Sequence, residues 1–376
     1  MSVNEDLARI VEEIVAPEAA EIDRSAAFPN KAVDALADAG VLALTVPAEL
    51  GGGGGSLRDA AHVVRALSRA CGSTAMVVMM HYAAVAALVA TGREAELREI
   101  ASGRHLSTLA FSEPGSRSHF WAPMSSAAAD GDEVILNARK SWVTSAGQVE
   151  SMVWSSRPVA GDEPMSLWFV RADTPGLSVA GSFDGLGLRG NGSVPMTATD
   201  VRVPSASLLG TDGNGLDLVM SEVLPVFLLL NASASIGLME AVTAETVAHI
   251  SRTRLEHLGR TLAQQPEPRV AVARMRIDTD RTSALVDAAL TAIEEGRDEA
   301  QLLVLEVKAA ADESSAATAD LAMLTCGGAA FRKELGIERR FRDSRAARVM
   351  APSTAALHDF VGRTLSGQPL LDEPAG

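Results

Sequence analysis

Cysteine is nearly absent from this chain of 376 residues: Cys71 and Cys326 are its only two, far apart in the sequence. That excludes a disulfide framework and a cysteine metal site, and it points to a reducing compartment. Aromatic residues are scarce as well, at 4% against a hydrophobic content of 47%. The core must therefore be built from Ala, Leu, Val and Met, a composition suited to closely packed helices. Positive charge is in deficit, with 33 Lys and Arg against 48 Asp and Glu and a net charge of −15. General nucleic-acid binding, which needs clustered Lys and Arg, is excluded on that ground. No apolar run reaches the ~20 residues of a bilayer span. The most apolar one, "AMVVMMHYAAVAALVA" (75–90), contains His81 and Tyr82 and reads as a buried helix. The N-terminal stretch has neither a basic head nor an apolar signal core. The expectation is a soluble cytoplasmic protein with no membrane or nucleic-acid partner. The seven histidines show no HxxxH or HExxH spacing, so no metal site is expected, and GxSxG is absent. "GLGLRGNGS" (185–193) is rich in glycine, but no Walker lysine follows it, and alone it reads as a turn.

What is present has a clear order. In "NEDLARIVEEIVAPEAAEID" the residues Leu7, Ile10, Val11, Ile14 and Val15 follow helical spacing, and "PNKAVDALADAGVLAL" repeats the pattern up to a capping Gly40. "AELGGGGGSLRDA" reads as a flexible surface loop inside one domain, with Ser56 as N-cap of the next helix. From about residue 108 the texture changes to short runs rich in Val, Trp and Thr, bounded by turns, which read as antiparallel strands. From about residue 213 long helical patterns return, and the last begins near Ser353 or Thr354 with Leu357, Phe360, Val361 and Leu365 on one face. The fold class is mainly α with a central β domain. The expected domains are N-terminal helices over 1–108, a β domain over 109–212 and a helical bundle over 213–376.

Five motifs stand in sequence: "LAFSEPGSRS" (109–118), "LNARKSWVTSAG" (136–147), "GLGLRGNGSVPMTATDVRVPSASLLGTDGNG" (185–215), "CGGAAF" (326–331) and "GIERRFRDSRAARVM" (336–350). Their succession resembles the acyl-CoA dehydrogenase family of flavoproteins over nearly the whole chain. The resemblance implies an N-terminal helical domain, a central β domain and a C-terminal four-helix bundle, with FAD held between the last two, usually in a homotetramer. It assigns flavin contacts to Phe111 and Ser112, and to Trp142 as an aromatic wall with the Thr144 hydroxyl at the ring edge. It further assigns to Gly327 and Gly328 a turn close to the cofactor of a neighbouring subunit, and cofactor binding to Ser353 and, after a one-residue shift, to Arg254. Ser118 matches a residue beside the acyl-CoA chain.

In that family a glutamate removes the α-proton of the thioester, because an α C–H is too weak an acid to ionise unaided. Counting back from Arg363, its Glu-Gly-Thr falls on Ala351-Pro352-Ser353, so a methyl group replaces the carboxylate. The alternative base position, on a bundle helix before an arginine, falls on Phe227 and Leu228. Three readings remain open at this point. Another group could act as base, with His358, Asp359, Glu240 and His81 to hand. The chemistry could be that of a flavin-dependent monooxygenase of the same fold. Or the chain could be a catalytically degenerate binding protein. "SRSHFWAP" adds Arg117, His119, Phe120 and Trp121, either to reshape the pocket or as a surface loop. The expected partners are a small-molecule substrate such as an acyl-CoA, one or three further copies of the chain, and an unidentified electron acceptor or flavin reductase.

Overall fold

The computed structural model describes residues 3–116 and 119–371. Two compact units divide the chain: Met1–Val64 with Ser73–Gly185 and Arg189–Phe227, and Arg65–Gly72 with Leu186–Leu188 and Leu228–Gly376.

The first unit opens on helices. α1 (Val3–Ile10) runs through a π-helical turn (Val11–Val15) into α2 (Ala16–Ser25). Of the stripe that the spacing predicts, Leu7, Ile10 and Val15 are buried and continue into Ala19 and Ile22, while Val11 and Ile14 are half-buried. Pro17 has no N–H to give the helix, and the π turn just before it accommodates the missing bond. A second π turn (Val219–Val223) precedes Pro225 in the same way. α3 (Asn30–Asp38) stops where Gly40 takes φ +71°, a left-handed conformation that favours glycine. α4 (Leu57–Ala70) begins with a reciprocal cap: the Ser56 hydroxyl accepts from the Asp59 N–H at 3.2 Å, and the Asp59 carboxylate accepts from the Ser56 N–H at 2.8 Å. α5 (Gly72–Ala90) is buried nearly all round, and α6 (Glu94–Ala101) follows.

The glycine run before α4 is tied to the preceding turn by backbone hydrogen bonds. Gly53, Gly54 and Gly55 donate backbone hydrogen bonds to Ala43, Val46 and Leu44 at 3.0, 2.9 and 2.7 Å. A Cβ on Gly52 would lie 2.3 Å from the Val46 carbonyl oxygen. The glycines let the chain lie flat on its own preceding turn.

The strands of the first unit are β1 (Ser107–Ala110), β2 (Ser126–Asp130), β3 (Glu133–Val143), β4 (Ser151–Ser156), β5 (Ser166–Arg171), β6 (Leu177–Val179), β7 (Val194–Pro204) and β8 (Leu208–Leu209). They form two four-stranded sheets, ordered β1-β4-β5-β8 and β2-β3-β7-β6. All pairs are antiparallel except β1 with β4, a departure from the purely antiparallel expectation. A parallel pair needs a long crossover, and the chain supplies one by building β2 and β3 in the other sheet between them. β4 is buried on both faces, whereas β3 and β7 largely alternate.

The second unit is the bundle. After α7 (Gly215–Leu218) come α8 (Leu224–Arg252), α9 (Pro266–Glu294), α10 (Ala300–Cys326), α11 (Ile337–Val349) and α12 (Thr354–Leu365). α10 packs against α9, α11 and α12. Leu238, Val242, Met275, Ala322, Cys326, Ala330 and Ile337 form one core cluster. The small residues of α8 admit the end of α4: a Cβ on Gly237 would meet the Arg65 carbonyl at 2.3 Å, and the Ser68 hydroxyl donates to the Ala234 carbonyl at 2.6 Å. On α12, Leu357 and Phe360 are buried as expected, but Leu365, in the last turn where no other element covers it, is exposed. Two helices, Gly72–Ala90 and Gly215–Arg252, are long and apolar enough to cross a membrane, and both are mostly buried within the protein.

Candidate functional site

The first two motifs meet. β1 is anchored at its start by His81 of α5, whose Nδ1 accepts from the Ser107 N–H at 3.0 Å while Nε2 donates to the Leu42 carbonyl at 3.0 Å. Burial pushes this imidazole down to about 4, so it is neutral at ordinary pH. With both nitrogens engaged, His81 is an anchor and is removed from the candidate bases. β1 delivers the chain to Phe111 and Ser112, both half-buried. There the Ser141 N–H of β3 donates to the Ser112 carbonyl at 2.8 Å, which fixes Ser112 one residue from Trp142.

Beneath this junction lies an ion pair that sequence reasoning missed. Lys140 and Glu113, both buried, meet at 2.5 Å. The Lys140 ammonium also donates to the Ser155 carbonyl at 2.8 Å and its hydroxyl at 3.0 Å, using all three N–H bonds. The Glu113 carboxylate accepts from the Ser125 hydroxyl at 2.6 Å and from the Met124 and Ser125 N–H groups at 2.6 and 2.9 Å. Burial pushes Lys140 down to about 8, which leaves it charged at neutral pH. The signal was present: Lys140 shares the inward parity of Val134 and Leu136 in β3.

Trp142 is 64% exposed, in the irregular stretch of β3 between Lys140 and Val143, whereas Trp154 and Trp168 of the other sheet are buried. Phe183 supports it edge-on, with ring centroids 6.4 Å apart. Thr144 is buried, its hydroxyl 3.0 Å from that of Ser193. Ser118 and Arg117 lie outside the described residues. Beside them, Phe120 is buried and Trp121 stacks edge-on against both Phe120 and His119, at 5.1 and 4.9 Å. Most of this aromatic surface is therefore spent on itself.

The bundle unit holds the other predicted positions. Gly327 and Gly328 are exposed at the end of α10, Gly327 at φ +57°, and nothing lies within 4 Å of a Cβ built on either. Arg254 is exposed and donates to the Gly259 carbonyl at 3.1 Å. Ser353 is the N-cap of α12, its hydroxyl accepting from the Ala356 N–H at 3.4 Å. Ala351 is half-buried in the turn just before it. His358 is exposed on α12, 3.8 Å from Glu313, and Asp359 pairs with Arg363 at 2.7 Å. Glu240 is held by Arg65 at 2.6 Å. These carboxylates are committed to ion pairs. In the other unit Phe227 is buried.

Sequence profiles of the acyl-CoA dehydrogenase N-terminal, middle and C-terminal domains match residues 2–102, 108–201 and 213–366. The chain belongs to the acyl-CoA dehydrogenase family. Among its relatives, a probable acyl-CoA dehydrogenase of Bacillus subtilis is 27% identical over 348 residues, 88% of each chain. The human mitochondrial short-chain specific acyl-CoA dehydrogenase is 28% identical, covering 89% of this chain and 82% of its own. The fold matches that of butyryl-CoA dehydrogenase from Megasphaera elsdenii with a TM-score of 0.91 at 19% identity, over 97% of this chain and 98% of that one. The acyl-CoA dehydrogenase family makes this protein an FAD-dependent oxidoreductase. The residues present fit that cofactor: an exposed indole, one residue from the backbone bond that ties Ser141 to Ser112, suits a flat heteroaromatic ring.

Proposed function

We propose that this acyl-CoA dehydrogenase family member acts on an acyl thioester, with Trp142 as the wall for the flavin and Phe111, Ser112 and Thr144 as its polar and apolar edge. The observation that carries the reading is the match of all three family domains in order along nearly the whole chain. When bound, FAD supplies a two-electron acceptor for hydride. The chain's own contribution is to seat the ring against Trp142, with Glu113 and Lys140 fixing the two segments that reach it. Gly327 and Gly328 approach the cofactor of a neighbouring copy, Arg254 and Ser353 are further candidate cofactor contacts, and Ser118 borders the acyl chain.

The position of the family's base carries no ionisable group, since Ala351 and Phe227 are both apolar. Removal of an α-proton is accordingly slow for simple straight-chain substrates. A general base contributes ~10²–10⁴-fold in rate. The test is anaerobic mixing of the FAD-loaded protein with a panel of straight-chain and branched acyl-CoAs. Binding should shift the flavin's visible bands at once, while bleaching by straight-chain thioesters lags, and Ala351→Glu should accelerate it. A panel that leaves the flavin spectrum untouched would overturn the thioester reading. Bleaching that instead requires an added reductant, followed by hydroxylation of a substrate when oxygen is admitted, would turn it into a monooxygenase.

The exposed apolar side chains Leu324 and Phe331, at 79% and 80%, flank the open glycine pair on the bundle. They support a homo-oligomer covering this face. Light scattering that finds an FAD-loaded monomer would overturn that. The cytoplasm is the compartment that the two unpaired buried cysteines support.

A further inference from the structure

Inside the bundle lies a charged pair that the chemistry above does not use. Lys308 and Asp312, one turn apart on α10, are both wholly buried and meet at 2.8 Å. The other N–H bonds of Lys308 reach the Ala347 carbonyl at 2.8 Å and the Pro352 carbonyl at 3.2 Å, with the Met350 carbonyl farther off at 3.5 Å. The same Asp312 oxygen accepts from the Thr354 hydroxyl at 3.0 Å.

The placement of these carbonyls is informative. Ala347 lies in the last turn of α11 and Met350 is its C-cap, where carbonyls have no intrahelical donor. Pro352 lies just before α12 and contributes no N–H of its own. One ammonium therefore ties the end of α11 to the start of α12, and Ala351 sits in the turn between. A lysine retained only as a counter-charge for Asp312 would not aim its remaining donors at one turn.

We propose that Lys308 is a positioning residue that fixes the turn Met350–Ser353 and thereby sets where residue 351 and the N-cap Ser353 present themselves to the site. This rests on the reading of residue 351 as the position beside the substrate.

Hydrogen-exchange mass spectrometry on the FAD-loaded protein tests it, comparing wild type, Lys308→Met and Lys308→Met/Asp312→Asn. The double variant removes both charges, so its melting temperature should recover relative to the single variant. Exchange in the 347–354 segment should nevertheless be faster than in wild type by at least about tenfold in both, the scale of one lost charge-assisted hydrogen bond. The flavin shift induced by butanoyl-CoA should weaken in parallel. Recovery of turn protection in the double variant, or unchanged protection in the single one, would show a mere ion pair and overturn the proposal. If Lys308→Met does not fold, Asp312→Asn decides, because it keeps the ammonium on the carbonyls. Protection should then fall by less than about threefold, and a tenfold loss would overturn the proposal. A wild type whose flavin ignores acyl-CoA would defeat the thioester reading alone, since the exchange measurement needs no substrate.

Discussion

The ammonium of Lys140 in the strand-bearing unit and that of Lys308 in the bundle are both wholly buried against a carboxylate, 2.5 and 2.8 Å away. Around them the two sites differ. Glu113 accepts four hydrogen bonds spread over both oxygens, two of them from backbone N–H groups. Asp312 accepts two, both on one oxygen, and its Oδ1 is buried without a partner. Burial accordingly raises the Asp312 carboxyl and lowers the Lys308 ammonium. A buried charge is tolerated in proportion to how completely its lone pairs and protons are met. The first pair is a finished joint between two segments. The second is an incomplete one whose lysine is spent mainly on backbone carbonyls.

The largest expected effect separates the pairs directly. Glu113→Ala strands the Met124 and Ser125 N–H groups and leaves the Lys140 ammonium with Ser155 alone, and should cost about 5 kcal/mol, against about 3 kcal/mol for Asp312→Ala, which strands no backbone N–H group. Denaturant unfolding of both variants measures the difference, and equal losses would break the comparison.

A buried titratable group with no counter-charge sharpens it. The folded His81 binds its proton at about 4 rather than 6.5, so between those values the unfolded chain binds more protons than the folded one. Stability should therefore fall as pH drops through that window, by up to about 3 kcal/mol. In His81→Gln this one-proton contribution to the pH slope should vanish, and an unchanged slope would assign it elsewhere.

Trp142→Ala tests the exposed side of the Lys140 joint. FAD affinity should drop by about tenfold through the lost aromatic contact. The unfolding midpoint of the cofactor-free protein should hardly move, because the indole covers little of the core. A large fall in that midpoint would make Trp142 a packing residue. The smallest effect belongs to the Lys308 turn: Ser353→Ala removes a helix cap and should cost about 1 kcal/mol in thermal unfolding.

Helices, strand segments and the order of the motifs were legible because each rests on spacing within a few residues. The buried Leu7, Ile10 and Val15, the Gly40 cap and the Ser56 cap all lie where local pattern puts them. The backbone bonding of Gly53–Gly55 was not legible, since the acceptors at Ala43, Leu44 and Val46 are chosen by how the loop folds back. Nor was the parallel pairing of β1 with β4, which depends on which sheet receives the intervening strands.

The same division runs through the site. By itself the sequence determined the family, the cofactor it implies and the absence of a carboxylate at residue 351, because these are identities of residues in order. Only the tertiary structure decided that Ser112 and Trp142 meet through Ser141, that Glu113 and Lys140 pair beneath them, and that Lys308 reaches three carbonyls around Ala351. Those contacts join residues 27 to 44 apart in the chain. No local periodicity encodes which distant backbone group a buried ammonium will meet; the packing of the core selects it.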